Sequence, residues 1–450
     1  MNQEMPPALP CLSGHLDKIA GVRLPGKPSS SLWDVSITDG RISSLDPHNP
    51  HQDSGQAADI MQSGTLNVVN RLLAPSLCHA HVHLDKCFLL QDLKYSDLQI
   101  ENGDFQEAME LTGKAKARFD QDDLLRRGRT LIEESISYGV TTMRAFVEVD
   151  GGVQFKCITA GLKLKAEYQD RCEIQLCAFA QLPLFSGEDG GAEVRKLMGL
   201  AASMDDIEAL GSTPYVEEDL TKQIANVHWM TSLSLKHGKH LDLHLDYFLE
   251  EHKEPLVWTA LDIFEGYQWV ENKGKKITLG HCTRLTRFND QEWASLKQSI
   301  ANLPISFVGL PTSDLFMMRT PENVRGTLPV VAMIQRHGLD AAIAINNVGN
   351  AFTPHGNCDP LSIASLGVGI YQAGTKQQTE ILYEAVSSRA KTAIGCEPTS
   401  LGLEVGELAD FVLFDSGGDW RCRKTIPEVV YDAGSKRATI RRGRWVGGNL

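Results

Sequence analysis

Several things are missing from this sequence, and each absence removes a class of function. No apolar run approaches the length that crosses a bilayer, so no membrane helix is expected. The opening stretch, MNQEMPPALPCLSGHLDKIAG, has neither the basic start nor the apolar centre of a signal peptide, which makes the cytoplasm the expected compartment. None of the ten cysteines forms a CxxC pair, so a thiolate metal knuckle or a disulfide frame gives way to buried thiols. No GxGxxG or GxxxxGK[ST] follows a β-rich run, so a nucleotide fold lacks its phosphate loop. No GxSxG is present to carry a serine nucleophile. Positive charge is in deficit: 44 Lys and Arg against 57 Asp and Glu leave a net charge of −13. That balance argues against a nucleic-acid groove or an anionic membrane surface as the partner. A small-molecule substrate is what remains, and assembly into a homo-oligomer stays open.

What is present is enough apolar side chain, 42% of residues, for a sizeable core in a chain longer than one average domain. One unit recurs. An amphipathic helix ends at glycine and a β-rich run follows at once: Leu124 to Tyr138, Gly139, then VTTMRAFVEV; SLSLKH, Gly238, then KHLDLHLD; VVAMIQRH, Gly338, then LDAAIAIN. Glycine supplies the positive φ of a helix C-terminus, and short Val/Ile/Leu runs suit buried parallel strands. EIQLCAFAQ, KKITLGH and PISFVGLP are further strands of this type. Repeated β-then-α units favour a (β/α)8 TIM-like barrel, with an open doubly wound sheet next.

The ends read differently. WDVSITDGRISSLDP and NVVNRLLAPS near the start, and GELADFVLFDSGG and KRATIRRGRWVGG near the end, are short alternating strands with turns between them. They predict one small composite β-sandwich formed by both termini. Residues 1–70 and 396–450 would supply its two parts and 71–395 the barrel, with a mobile loop over 49–64.

LLAPSLCHAHVHLDKCF, at the end of the first barrel strand, places three histidines in five positions: His79, His81 and His83. On a strand, alternate residues share a face, so His81 and His83 form a pair, and His79 lies on the same face but too early to join it. His244 closes LDLH, His281 closes ITLGH and Asn346 closes AAIAIN. Strand ends converge at one mouth of a barrel. Imidazoles gathered there can hold a first-row divalent cation and leave a position open for water.

HVHLDK, DLHLDY, LGHCT and INNVGNAFTPHGN, in that order, resemble the amidohydrolase superfamily, specifically its cytosine-deaminase-like branch, and GELADFVLFD resembles the segment that completes its small β-domain. The resemblance covers nearly the whole chain. It implies one divalent ion, zinc first and iron second, and hydrolysis of a non-peptide C–N bond in a small molecule such as a cyclic amide, amidine or N-heterocycle, as in a deaminase. It also implies metal ligation by His81, His83, His244 and the residue at position 346. His281 would shuttle protons against the substrate, and Gln181 would meet the substrate's polar edge.

Two departures stand out. The superfamily expects aspartate where this chain has Asn346, followed by Asn347 where the cytosine enzymes carry a second acid; and H-x-D-E reads His244-Leu245-Asp246-Tyr247. An asparagine carbonyl can ligate but cannot take a proton. Three accounts compete: a hydrolase in which Asp246 or His281 moves the proton, a lyase or decarboxylase using the metal as Lewis acid, or an inactive small-molecule-binding scaffold. Tyr247 and Asn347 are then substrate-facing candidates, which disfavours cytosine itself. Lys86 could reach the mouth or, slightly favoured, form a salt bridge at a loop start. Arg319 and Arg325 could clamp an anion, although exposed loop arginines are common. The acidic run Glu217 to Asp219 reads as a solvated helix start.

Overall fold

The computed structural model describes residues 14–49, 60–62, 64–68, 70–271, 274–415 and 423–449. The opening stretch and most of the loop expected over 49–64 lie outside them. Six short strands begin the described chain: β1 (Lys18–Val22), β2 (Trp33–Thr38), β3 (Arg41–Pro47), β4 (Ile60–Gln62), β5 (Thr65–Asn67) and β6 (Leu73–Pro75). The first five form one sheet in the order β3-β2-β1-β5-β4. Eight parallel strands follow in chain order: β7 (Leu77–His83), β8 (Val140–Glu148), β9 (Glu173–Ala180), β10 (Ala209–Ser212), β11 (His240–Leu245), β12 (Ile277–His281), β13 (Ile305–Gly309) and β14 (Ala341–Ile343).

Helices stand where the three glycine-punctuated units predict them, at Gln121–Ser137, Leu220–His237 and Val330–Gln335, and others fill the remaining connections. α1 (Phe105–Lys116) and α2 (Gln121–Ser137) join β7 to β8. α3 (Lys156–Tyr168), α4 (Ala192–Ala202), α5 (Leu220–His237), α6 (Val257–Gly266) and α7 (Asp290–Ile300) follow β8 to β12 in turn, and α8 (Pro311–Met317) follows β13. Gly238 closes α5 in the left-handed region, at φ 61°. Gly139 has a second reason to be glycine besides its φ of 103°: a Cβ there would meet Val412 Cγ2 at 2.1 Å. β10 was not foreseen, because four residues of Ala, Leu, Gly and Ser carry no β-branched signal. Asp219 caps α5 through the Lys222 amide, but Glu217 is not solvated. Its carboxylate is buried and accepts from the amides of Leu184 and Phe185 and from Ser186 Oγ, pinning the loop after β9.

The barrel closes at one point. Past β14, Asn346 bridges Val82 in parallel: His83 N–H donates to Asn346 O at 2.8 Å, and Asn346 N–H to His81 O at 3.1 Å. The interior at the other end is filled by Arg144 of β8, fully buried, which donates to Asp242 Oδ2, Thr278 Oγ1 and Ile394 O, each at 2.9 Å.

β15 (Phe411–Phe414), β16 (Arg437–Arg441) and β17 (Arg444–Asn449) join β6 in a four-stranded antiparallel sheet, in the order β17-β16-β15-β6. Its side chains alternate between two cores. Phe411 and Leu413 pack with Ile19, Val35 and Leu66 of the N-terminal sheet, which makes the sandwich composite. Val412 and Phe414 belong to the barrel's cluster. A run that is buried on both faces shows no polar alternation, which is why FVLF reads as continuously apolar.

One ion pair fastens that sheet to the barrel. Arg437 of β16, 1% exposed, forms a two-pronged pair with Asp359 at 2.8 and 2.5 Å and donates to Tyr138 O at 3.0 Å. Asp359 also caps the helix Pro360–Ile370. Replacing Arg437 by Met leaves a buried carboxylate unpaired and is expected to cost about 3–5 kcal/mol of stability, read as a lowered midpoint in urea unfolding; an unchanged midpoint would show the pair to be idle.

Candidate active site

β7 brings two of its three histidines inward. Its pairing with β8 shifts register between His79 and Val82, so that two residues of β7 face one of β8. Such a bulge resets which face a side chain takes. His79 therefore does not share the face of the pair, as simple alternation predicts. Its Nε2 meets Ser135 Oγ of α2 at 3.2 Å, and burial pushes its pKa down to about 3.

His81, His83 and His244 of β11 gather in the mouth, with one ligand nitrogen from each lying within 4.8 Å of the others, and all three buried. The His81 and His244 rings lie 4.5 Å apart between centroids. Phe146 of β8 packs 4.1 Å from His81, and Phe179 of β9 packs 4.4 Å from His244. These aromatic walls hold the imidazole rotamers, and a strand-end reading does not find them. Gly280 of β12 gives the rings room: a Cβ there would come within 3.2 Å of His81 Cε1.

Burial first, and neighbouring cationic groups second, hold His81, His83 and His244 well below the usual imidazole range. The rings are neutral and keep lone pairs. His81 Nδ1 and Nε2, His83 Nδ1, His244 Nε2 and Asn346 Oδ1 are all buried without a hydrogen-bond partner. Each such atom costs about 1–3 kcal/mol, a cost that a cation shared among them would offset. The donor set therefore fits a divalent metal.

Asn346 sits at φ 60°, a left-handed turn that asparagine tolerates better than most residues. Its Nδ2 donates to Ser313 Oγ at 2.8 Å, which leaves the carbonyl oxygen as the free end. His281, also left-handed at φ 64°, directs Nδ1 to Asp314 Oδ1 at 2.8 Å. Asp314 lies in the first turn of α8, is fully buried, and accepts from Thr327 Oγ1 at 2.6 Å as well. Burial pushes its carboxyl upward, against the donation from His281 and Thr327. Asp314 was missed in sequence because nothing in LPTSDLF marks it as facing a histidine 33 residues earlier.

Asp246 is placed elsewhere than its spacing from His244 suggests. The chain turns at φ 47° there, ending the strand's alternation. Its carboxylate accepts from the amides of Leu256 and Val257 at 2.7 and 3.0 Å, ahead of α6. Burial raises its pKa to about 7, although both amide bonds oppose the shift.

Gln181, Tyr247 and Asn347 do line the cavity beside the histidines, together with Lys86, Phe105, Tyr215 and Phe352. Lys86 is no loop-surface lysine. It is 1% exposed, pairs with Glu148 Oε2 at 3.1 Å and still reaches the cavity. Arg319 and Arg325 do not line it; Arg325 borders a wider surface cleft beside Arg336 and Tyr371. That cleft, and another between Asp17 and Arg441, are larger but hold none of the clustered histidines.

No protein-family model matches the chain. It is 22% identical to the N-isopropylammelide isopropyl amidohydrolase of Pseudomonas sp. (strain ADP), covering 92% of this chain and 93% of that protein. It is 21% identical to the pterin deaminase of Rhizobium rhizogenes, over 96% and 92% of the two chains. Among solved structures, the 5-methylcytosine deaminase of Klebsiella pneumoniae liganded with 5-fluorocytosine superposes with a TM-score of 0.81 at 21% identity, covering 96% of this chain and 98% of that one. The fold of such enzymes extends over nearly the whole chain, as the motif resemblance implied.

If the histidines are the ligands, replacing His81 or His244 by Ala is expected to abolish stoichiometric metal binding, read by elemental analysis of the purified protein. The melting temperature should fall with it, since each ligand joins distant strands. Near-stoichiometric metal in both variants would contradict the assignment.

Proposed function

We propose that the chain is a metal-dependent hydrolase acting on a non-peptide carbon–nitrogen bond of a small cyclic amide, amidine or N-heterocycle, most simply as a deaminase. The observation that carries this reading is the convergence, in one enclosed cavity, of unpartnered histidine and Asn346 lone pairs with the His281–Asp314 pair. His81, His83, His244 and Asn346 would hold a divalent cation, zinc ahead of iron for three imidazoles and one carbonyl oxygen, which when bound would supply Lewis acidity and lower the pKa of water.

The proton chemistry belongs to the chain's own side chains. Asn346 cannot accept a proton, and Asp246 commits both carboxylate oxygens to backbone amides. His281 remains. Its Nδ1–H donates to Asp314, a tautomer assigned from that hydrogen bond, so Nε2 carries the lone pair on the side of the cavity. His281 takes a proton from the attacking water and returns it to the leaving nitrogen. Asp314 is a positioning residue: it fixes the ring's tautomer and orientation, as a buried carboxylate does for a general-base histidine elsewhere. The lyase and scaffold alternatives draw no support from the related enzymes, whose names describe amidohydrolases and deaminases. The cytoplasm is the proposed compartment: the eight cysteines among the described residues are free thiols, and no described helix is long and apolar enough to cross a membrane.

The test is turnover at matched metal content, on a substrate found by screening cyclic amides, amidines and N-heterocycles. His281→Ala should lower kcat about a hundredfold or more while metal is retained. Asp314→Asn should lower kcat with little change in KM, because the amide can favour the opposite tautomer. Unchanged turnover in His281→Ala removes it from the mechanism. In the same assay Asn346→Asp should keep the metal and raise hydrolysis of simple substrates by supplying a second base; a lower rate would show that the neutral amide is tuned to this site.

A further inference from the structure

Among the described residues, the cavity beside the histidines has no carboxylate in its lining. Apart from the histidine nitrogens and Asn346 Oδ1, its polar side chains offer free donors. Lys86 Nζ is nine-tenths and more buried and has one hydrogen-bond partner, Glu148 Oε2, for its three N–H bonds. Glu148 itself is shared with Lys116, which also binds Asp150, so the acid behind Lys86 is already divided between two cations. Asn347 spends its carbonyl oxygen on Asn350 Nδ2 at 2.7 Å and keeps its NH2 group for a ligand. Gln181 Nε2 is buried and unpartnered. Burial holds the Tyr215 and Tyr247 phenols protonated, able to donate.

A heterocycle presenting ring N–H and amino groups to these side chains would set donor against donor in a dry site. One presenting carbonyl or anionic oxygens would satisfy all of them. Shape agrees. Phe105, Tyr247 and Phe352 put aromatic rings in the lining, a surface that suits a planar heterocycle.

We propose that Lys86 is a specificity-determining residue that pairs with an anionic oxygen of the substrate, so that the substrate class is a planar, oxo-rich or carboxylated N-heterocycle bound as an anion. This rests on the hydrolase reading and narrows it. The anionic oxygen can belong to the ring, as an enolate or imidate, or to a ring carboxylate; the two differ in where the charge lies, and two probes separate them.

Calorimetry on the metal-loaded, full-length protein compares barbiturate (a ring-centred anion), orotate (a ring carboxylate), neutral uracil and cytosine. At least one anion should bind tenfold or more tightly than both cytosine and uracil, as expected for a charge-assisted bond in a buried site. Lys86→Met and Lys86→Gln should each remove that preference while metal content and uracil affinity stay the same. Should both variants fail to fold, the ranking of ligands by the unaltered protein decides alone. Equal binding of anions and cytosine by that protein, or a preference that survives in folded Lys86→Met, overturns the proposal. A protein that hydrolyses C–N bonds without preferring anions refutes only the role of Lys86. One that prefers anions through Lys86 but hydrolyses nothing refutes the hydrolase reading instead.

Discussion

Three neutral imidazoles held out of water with nothing to bond are the constraint around which the barrel mouth is arranged. Left alone they cost stability, so the fold must force them together. It does so with Phe146 and Phe179 as walls, with a glycine at 280 where a Cβ would crowd His81, and with a bulge in β7 that turns His79 away. The depressed basicity of the rings follows from the same burial.

What could be read from the sequence was whatever is local. Glycine after a helical pattern marks the helix-to-strand steps, and two-residue spacing on a strand end marks His81 and His83. The ordered motifs carried the fold and the cluster with them. What failed were inferences that extended a local period past a break. Alternation put His79 on the face of the pair, though too early to join it, but a bulge turns it to the other face. Alternation put Asp246 beside His244, but the backbone turns left-handed there and its carboxylate goes to α6. Glu217 looked solvated because nothing nearby in sequence shows that four donors converge on it. Asp314, Tyr215 and Phe105 reach the cavity only through tertiary packing, which no short window records.

The substitution of asparagine for aspartate at position 346 looks like a loss in the sequence and like an adaptation in the structure. The position demands a left-handed backbone, which asparagine accommodates. The amide also divides its work: the NH2 end bonds Ser313 and the oxygen stays free. A carboxylate there would add a negative charge to a cavity that also holds the buried Lys86.

The barrel's seam runs through these same atoms. β8 and β9 are paired over seven residue pairs, whereas the first and last strands meet in a single bridge, two hydrogen bonds between His81, His83 and Asn346. The junction with the fewest bonds is where local opening begins. Side chains of the same three residues, with His244, carry unpartnered nitrogen and oxygen atoms, so a cation bound there would be a clasp that cross-links the two ends of a roughly cylindrical sheet. Occupancy and closure would then become one equilibrium. Amide exchange at His83 and Asn346 would slow when the clasp is fastened, giving the loaded state a mechanical signature separate from any chemistry it performs.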